Sequence, residues 1–250
     1  MALPSTQRRR LAFLVDGDNA QPSLVENMLA ETVKHGDTMI RRIYGDWTSP
    51  NMNGWKEALQ THAIQPIQQF RYTNGKNATD SALIIDAMDI LHSRNIDGFC
   101  LVSSDSDFTR LATRIREAGL FVMGIGRQST PRPFVSACEV FVFTENLSPR
   151  VAEDDRGKGI ATGSHGTVKD SIPLLTKAFE LAAQEDGWAA LGNLGHHLRQ
   201  LESSFDPRSY GHVQLKPLIE ALPAFFHLSN KHPGSGSGGW WVKLKDPKSC

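Results

Sequence analysis

The chain has 250 residues in which 27 Lys plus Arg balance 27 Asp plus Glu. That balance excludes the strong overall positive field of many nucleic-acid binders and leaves anionic ligands to local patches or to metal. The length accommodates one domain of about 150 residues and another of roughly 80, and no run approaches the roughly 18 apolar residues that span a bilayer or forms a leader's apolar h-region, so neither membrane insertion nor secretion is expected.

Residues 11–15 form an apolar, partly β-branched run that stops at AspGlyAspAsn, the pattern of a buried strand meeting a turn. Pro22 then suits a first helical position, and Leu24, Val25, Met28, Leu29 and Val33 recur at helical spacing up to Gly36. Further strands are predicted over residues 38–44, 64–70, 99–103, 121–125 and 140–143, and helices over 53–61, 79–92 and 107–118. Short apolar strands alternating with amphipathic helices give an α/β fold. Its sheet is doubly wound and mainly parallel, with helices on both faces and ligands beyond the carboxyl ends of the strands. Cys100 and Cys138 fall in apolar strand-like surroundings, and with Cys250 they make an odd set without ligand-like spacing. A reduced, cytoplasmic protein is expected.

Residues 148–169 are polar, glycine-rich and without periodicity, so they read as a flexible linker between domains at 8–147 and 170–246. Beyond it, helices are predicted over 172–184, 189–201 and about 212–222. PheHisLeuSer and TrpTrpValLysLeu flank ProGlySerGlySerGlyGly as a hairpin, so this smaller domain reads as an α+β winged helix. Trp188, Phe205, Tyr210 and Trp241 lie in apolar patterns and are predicted to be core. Arg199, Arg208, Lys216, Lys231 and Lys243 offer a modest phosphate-contacting surface.

The carboxylates carry the chemistry. Asp16 ends the first strand, at the edge where such sheets bind ligands, although a turn aspartate accepting backbone N–H groups is the plainer alternative. Asp18 and Asn19 either cap the following helix or join the site. Asp80 shares a helical stripe with Leu83, Ile84, Ala87 and Leu91, whereas Asp86 and Asp89 fall on the opposite, solvated side. A carboxylate on a core-facing stripe requires backbone amides or a metal to compensate it. Asp105 and Asp107 follow the PheCysLeuVal strand, with Asp107 placed to cap the next helix, and Ser103, Ser104 and Ser106 can orient carboxylates or donate to phosphate oxygens. Hard oxygen ligands without a competing histidine or cysteine pattern favour Mg²⁺ or Mn²⁺ and phosphoryl chemistry. Lys76, Arg110, Arg127 and Arg132, with Arg71, stand where loops can grip phosphates beside that centre. GlyIleGly lacks the third glycine of a dinucleotide fingerprint.

PheLeuValAspGlyAspAsnAla, LysAsnAlaThrAspSerAlaLeuIleIleAspAlaMetAsp and LeuValSerSerAspSerAspPhe together resemble the NYN domain, a branch of the PIN-like nucleases similar to the LabA group. The resemblance spans nearly all of residues 10–146 and implies that Asp16, Asp80, Asp105 and Asp107 bind metal with Asn19 assisting. It also implies ribonuclease activity that leaves a 5′-phosphate. GlyTrpAlaAlaLeuGlyAsnLeuGlyHisHisLeuArg and PheAspProArgSerTyrGlyHisValGlnLeuLysProLeuIleGluAlaLeu resemble the LOTUS, or OST-HTH, domain, which implies RNA or a protein as partner. A homodimer is a further partner expectation. Two other readings stand beside the ribonuclease. One is a noncatalytic RNA-binding scaffold; the other is a phosphatase with Asp16 as nucleophile and Asp18 as acid, suggested by a strand ending in Asp-x-Asp.

Overall fold

The computed structural model describes residues 8–70, 78–93, 95–147, 166–232 and 235–245. The chain divides into two compact units, Met1–Pro149 and Arg150–Cys250. Of the expected linker, only residues 166–169 lie among the described ones. No helix among the described residues is long and apolar enough to cross a membrane.

In the first unit, β1 (Arg10–Asp16), β2 (Asp37–Gly45), β3 (Gln65–Gln68), β4 (Gly98–Val102), β5 (Phe121–Gly126) and β6 (Val140–Phe143) form one parallel sheet of order β3-β2-β1-β4-β5-β6. The period-two alternation of an extended chain splits β1 between two cores. Leu11, Phe13 and Val15 pack with α1 (Val25–Val33) on one face, while Ala12 and Leu14 pack with α3 (Ala78–Ser93) and α4 (Thr109–Glu117) on the other. Each fully buried Phe or Leu contributes about 1.5–3 kcal/mol relative to exposure, which explains why residues 11–15 of β1 and all of β4 and β5 carry no polar side chain. The order of strands reverses between β1 and β4. Their adjacent carboxyl ends are therefore the switch point at which an open α/β sheet leaves a crevice.

Several elements differ from the sequence reading. The helix expected over 53–61 is a 3-10 segment, Pro50–Trp55, followed by the short α2 (Lys56–Thr61). A helix read as loop, α5 (Arg132–Ala137), has Pro131 as its N-cap and Pro133 in its first turn, where a missing N–H costs nothing. Asp86 is not on a solvated face: it accepts hydrogen bonds from Arg42 and from the Tyr44 hydroxyl, because β2 supplies two long polar side chains to that side of α3. Asp89 is exposed.

The second unit contains α6 (Ile172–Ala182), β7 (Ala189–Ala190), α7 (Leu191–Leu201), α8 (Leu215–Glu220), β8 (Phe226–His232) and β9 (Ser235–Leu244), with an antiparallel sheet of order β7-β9-β8. Its first described helical turn, Val168–Ser171, begins inside the expected linker and is closed by a capping box between Thr167 and Asp170. Leu175, Phe179, Leu194, Leu198, Ile219, Phe226 and Val242 form the core. The helix expected over about 212–222 is the six-residue α8, preceded by a 3-10 turn, Pro207–Tyr210, that closes at Gly211 in the left-handed region (φ 91°). Trp188 is buried and Phe205, Tyr210 and Trp241 are half-buried, whereas Trp240 is exposed beneath the Lys216 ammonium, 3.7 Å from its ring centre.

Candidate metal centre

The β1 strand ends in a turn in which the Asn19 and Ala20 N–H groups donate to the Asp16 carbonyl at 3.2 and 3.0 Å. The Gly17 N–H donates across to the Tyr44 carbonyl at 2.9 Å, and a Cβ at Gly17 would sit 2.8 Å from that oxygen, so glycine permits this approach. The Asp16 side chain is fully buried. It accepts from the Asp18 N–H (3.2 Å), the Asn19 amide (2.6 Å) and the Ser103 hydroxyl (2.8 Å). Burial raises the Asp16 carboxyl above its ordinary range, and the bonds from Asn19 and Ser103 pull in the other direction. Asn19 thus orients Asp16 and does not cap the next helix, whose N-cap is Gln21 without a side-chain bond; Asp18 does not cap it either.

Ser103 ties the neighbouring strand end to the same acid, since its oxygen also accepts the Asp105 N–H at 3.1 Å. Asp105, and not Asp107, is the cap of the following 3-10 turn, Ser106–Phe108: its Oδ1 accepts the Asp107 N–H at 2.9 Å. Asp107 stands exposed in the first turn. At the start of α3, Thr79 is buried and Asp80 is half-buried at the edge of the apolar stripe.

Asp80, Asp105 and Asp107 can each offer a carboxylate oxygen such that all three lie within 4.8 Å of one another. Oxygens sharing one hard cation at about 2.0–2.5 Å lie no more than about 4–5 Å apart, so the donor set fits Mg²⁺ or Mn²⁺ in both chemistry and spacing. Of the expected Asp16, Asp80, Asp105 and Asp107, the last three come together and the fully buried Asp16 is not in the triplet. Its charge is felt there nonetheless. The Asp80 carboxyl is pushed up to about 6, first by burial and then by the charges of Asp16, Asp105, Asp107 and Asp18.

The other expected residues are placed unevenly. Ser104 accepts the Arg127 N–H at 2.8 Å, linking the ends of β4 and β5, and the Arg127 side chain is exposed beside it. Arg132 is exposed at the first position of α5. Arg110 is exposed and extends along α4 to Glu117 (3.8 Å), toward the end of the helix remote from Asp107. Lys76 and Arg71 lie outside the described residues. Sequence reasoning missed Tyr44, whose pairing with Asp16 requires knowledge of strand register. It also missed Glu145, which accepts the Gln128 N–H at 3.0 and 3.1 Å. A small crevice of mixed lining, with Asn19, Ser103, Ser104, Arg127 and Thr144 beside Ala20, Met28, Val102 and Ile125, lies at this strand edge.

The profile of the NYN domain matches residues 10–146, and that of the OST-HTH/LOTUS domain matches residues 168–237. No curated protein matches the sequence. Among solved structures, the chain is similar to a protein of unknown function, VPA0982, from Vibrio parahaemolyticus. That likeness has 19% identity and a TM-score of 0.47, covering 56% of this chain and 94% of the other. It is also similar to an uncharacterized protein from locus NE0665 of Nitrosomonas europaea, at 29% identity and a TM-score of 0.28, covering 39% of this chain and 87% of the other. With more than half of its residues matched by one profile and its acids gathered at the switch point of a PIN-like sheet, the chain belongs to the NYN domain family and carries an OST-HTH/LOTUS domain behind it.

Proposed function

We propose that the protein is a metal-dependent ribonuclease that hydrolyses RNA phosphodiesters, leaving a 5′-phosphate, with its second unit binding RNA or a protein partner. One observation carries this reading: Asp80, Asp105 and Asp107, from two separate segments, approach within 4.8 Å of one another at the sheet's switch point. These three acids would hold Mg²⁺ or Mn²⁺, with Asp16 as the buried charge behind them, and the cation would supply charge neutralisation and an activated water. Asn19 and Ser103 fix the Asp16 rotamer, and Ser103 also holds the Asp105 main chain, so the acids are set before any ligand arrives. Ser104 can donate its own hydrogen to a phosphate oxygen, and Arg127 and Arg132 project from the same edge. In the second unit, the exposed Trp240 under Lys216 offers an aromatic face beside a cation, a pairing suited to single-stranded RNA.

The phosphatase reading has the burial of Asp16 against it. A nucleophile must meet phosphorus, and this carboxylate is fully enclosed with both oxygens accepting hydrogen bonds. The test is cleavage of labelled single-stranded RNA by purified protein with MnCl₂. The Asp16→Asn, Asp105→Asn double variant should be inactive; equal cleavage by it and by the wild type would assign the activity elsewhere. RNA binding without cleavage under any divalent ion would establish the scaffold instead.

A further inference from the structure

Asp16, Asp80, Asp105 and Asp107 gather at one sheet edge, the last three with carboxylate oxygens within 4.8 Å of one another, and like charges so placed repel. An unrestrained α3 would relieve the repulsion by moving its first turn away from β1 and β4. Something must hold the helix in place, and the side of α3 that the sequence assigned to solvent supplies it.

Tyr44 sits opposite Asp16 in the β1–β2 register and is fully buried. Its carbonyl accepts the Gly17 N–H at 2.9 Å, so its main chain is joined to the turn that carries Asp16. Its hydroxyl donates to Asp86 of α3. Arg42, two residues earlier on the same strand, reaches the other oxygen of Asp86, with Nη1 to Oδ1 at 2.5 Å. Asp86 follows Asp80 by six residues, about 9 Å along the helix axis. A single strand residue thus touches the Asp16 turn with its backbone and the Asp80 helix with its side chain.

We propose that Arg42, Tyr44 and Asp86 are positioning residues that set the height of α3, and therefore of Asp80, against β1 and Asp16. The proposal rests on the reading of Asp80 as a metal-holding acid. Stability alone is a poor reason for the arrangement. The Arg42 and Asp86 side chains are 27% and 24% exposed, and the buried Arg42 Nε has no hydrogen-bond partner among the described residues. Ion pairs that are largely withdrawn from water and incompletely satisfied are often no better than well-packed apolar residues. What such a pair adds is direction: two donors converging on one carboxylate define a distance and an orientation that an apolar contact leaves free to slide.

Two variants of the full chain test this. Arg42→Met, Asp86→Leu replaces the pair by apolar groups of similar size, and Tyr44→Phe removes one oxygen. Each is followed by urea unfolding, by Mn²⁺ affinity from the electron paramagnetic resonance of free Mn²⁺, and by kcat and KM on single-stranded RNA. The expected result for both is a folded protein with Mn²⁺ affinity lowered about 10- to 100-fold. In addition, kcat should fall while KM for RNA stays within about twofold. Wild-type Mn²⁺ affinity in a folded variant would overturn the proposal, as would a loss of stability with no change in affinity. Should the double variant fail to fold, Tyr44→Phe decides on the same readouts. A wild-type protein that binds Mn²⁺ without cutting RNA removes the nuclease reading alone, and the clamp is then judged on Mn²⁺ affinity.

Discussion

Replacing Asp80 by Asn should stabilise the protein in the absence of divalent ions and abolish the stabilisation that such ions confer. The Asp80 carboxyl is pushed from 3.8 to about 6, with burial the largest cause and four neighbouring acids the rest. A carboxyl whose pKa is higher folded than unfolded binds more protons in the native state, so stability falls as pH rises through that interval. The cost is absent below about pH 4 and complete above roughly pH 6 to 7. The displacement corresponds to ~3 kcal/mol. Because the side chain is partly open to solvent, screening reduces the working figure to ~1–2 kcal/mol. Asparagine keeps the shape and removes the charge, so it should recover that amount near neutral pH and nothing near pH 4. Mn²⁺ offsets that advantage, since an ion at ten times its dissociation constant stabilises the native wild type by ~1.4 kcal/mol, and at a hundred times it, where the gain is ~2.7 kcal/mol, the order reverses. Urea unfolding of both proteins at acid and neutral pH, with EDTA or with Mn²⁺, measures these differences. An Asn variant less stable than wild type in EDTA at neutral pH, or one that Mn²⁺ stabilises as strongly, would refute the reasoning.

Other perturbations test the frame around the centre. A Cβ at Gly124 of β5 would lie 2.4 Å from a Phe141 ring carbon, so Gly124→Ala should cost ~1–3 kcal/mol in urea unfolding; an unchanged midpoint would contradict that packing. Ser103→Ala deprives buried Asp16 of a donor and the Asp105 N–H of an acceptor, which should cost ~1–3 kcal/mol. The Ser103 bond lowers the Asp16 carboxyl, so this loss should shrink at acid pH, and a loss independent of pH would count against the assigned role. Burial pushes the Cys100 thiol up to about 12 and Cys138 higher still, so in the native protein neither should be modified by a thiol reagent before unfolding; mapping the adduct by mass spectrometry checks this.

The strands and the acids were legible because each leaves a local mark. Leu11–Val15 ends at Asp16 and PheCysLeuVal at Ser103, and an apolar run meeting Asp or Ser is the signature of a parallel strand reaching its functional edge. What escaped depends on register or on the competition between neighbours. Asp86 was read from the stripe of its own helix, which carries no information about Arg42 and Tyr44 on a strand some forty residues away in sequence. Asp107 was read as the cap because it stands next to the helical stripe, and only the turn geometry gives the role to Asp105. Asp16 was legible as a strand-end acid but not as an enclosed one, since its burial is completed by Asn19 and by Ser103 from the adjacent strand. The α5 helix was hidden by two prolines that usually mark loops.

Asp16 and the hydroxyl that steadies it are 87 positions apart in the chain, and Asp80 comes from the long stretch between them. An emerging polypeptide therefore has no assembled centre until β4 has left the ribosome and slotted beside β1. Under the nuclease reading, half-made or clipped fragments are harmless to the transcripts around them, and two pieces divided within that stretch would regain cutting power only by reassociating.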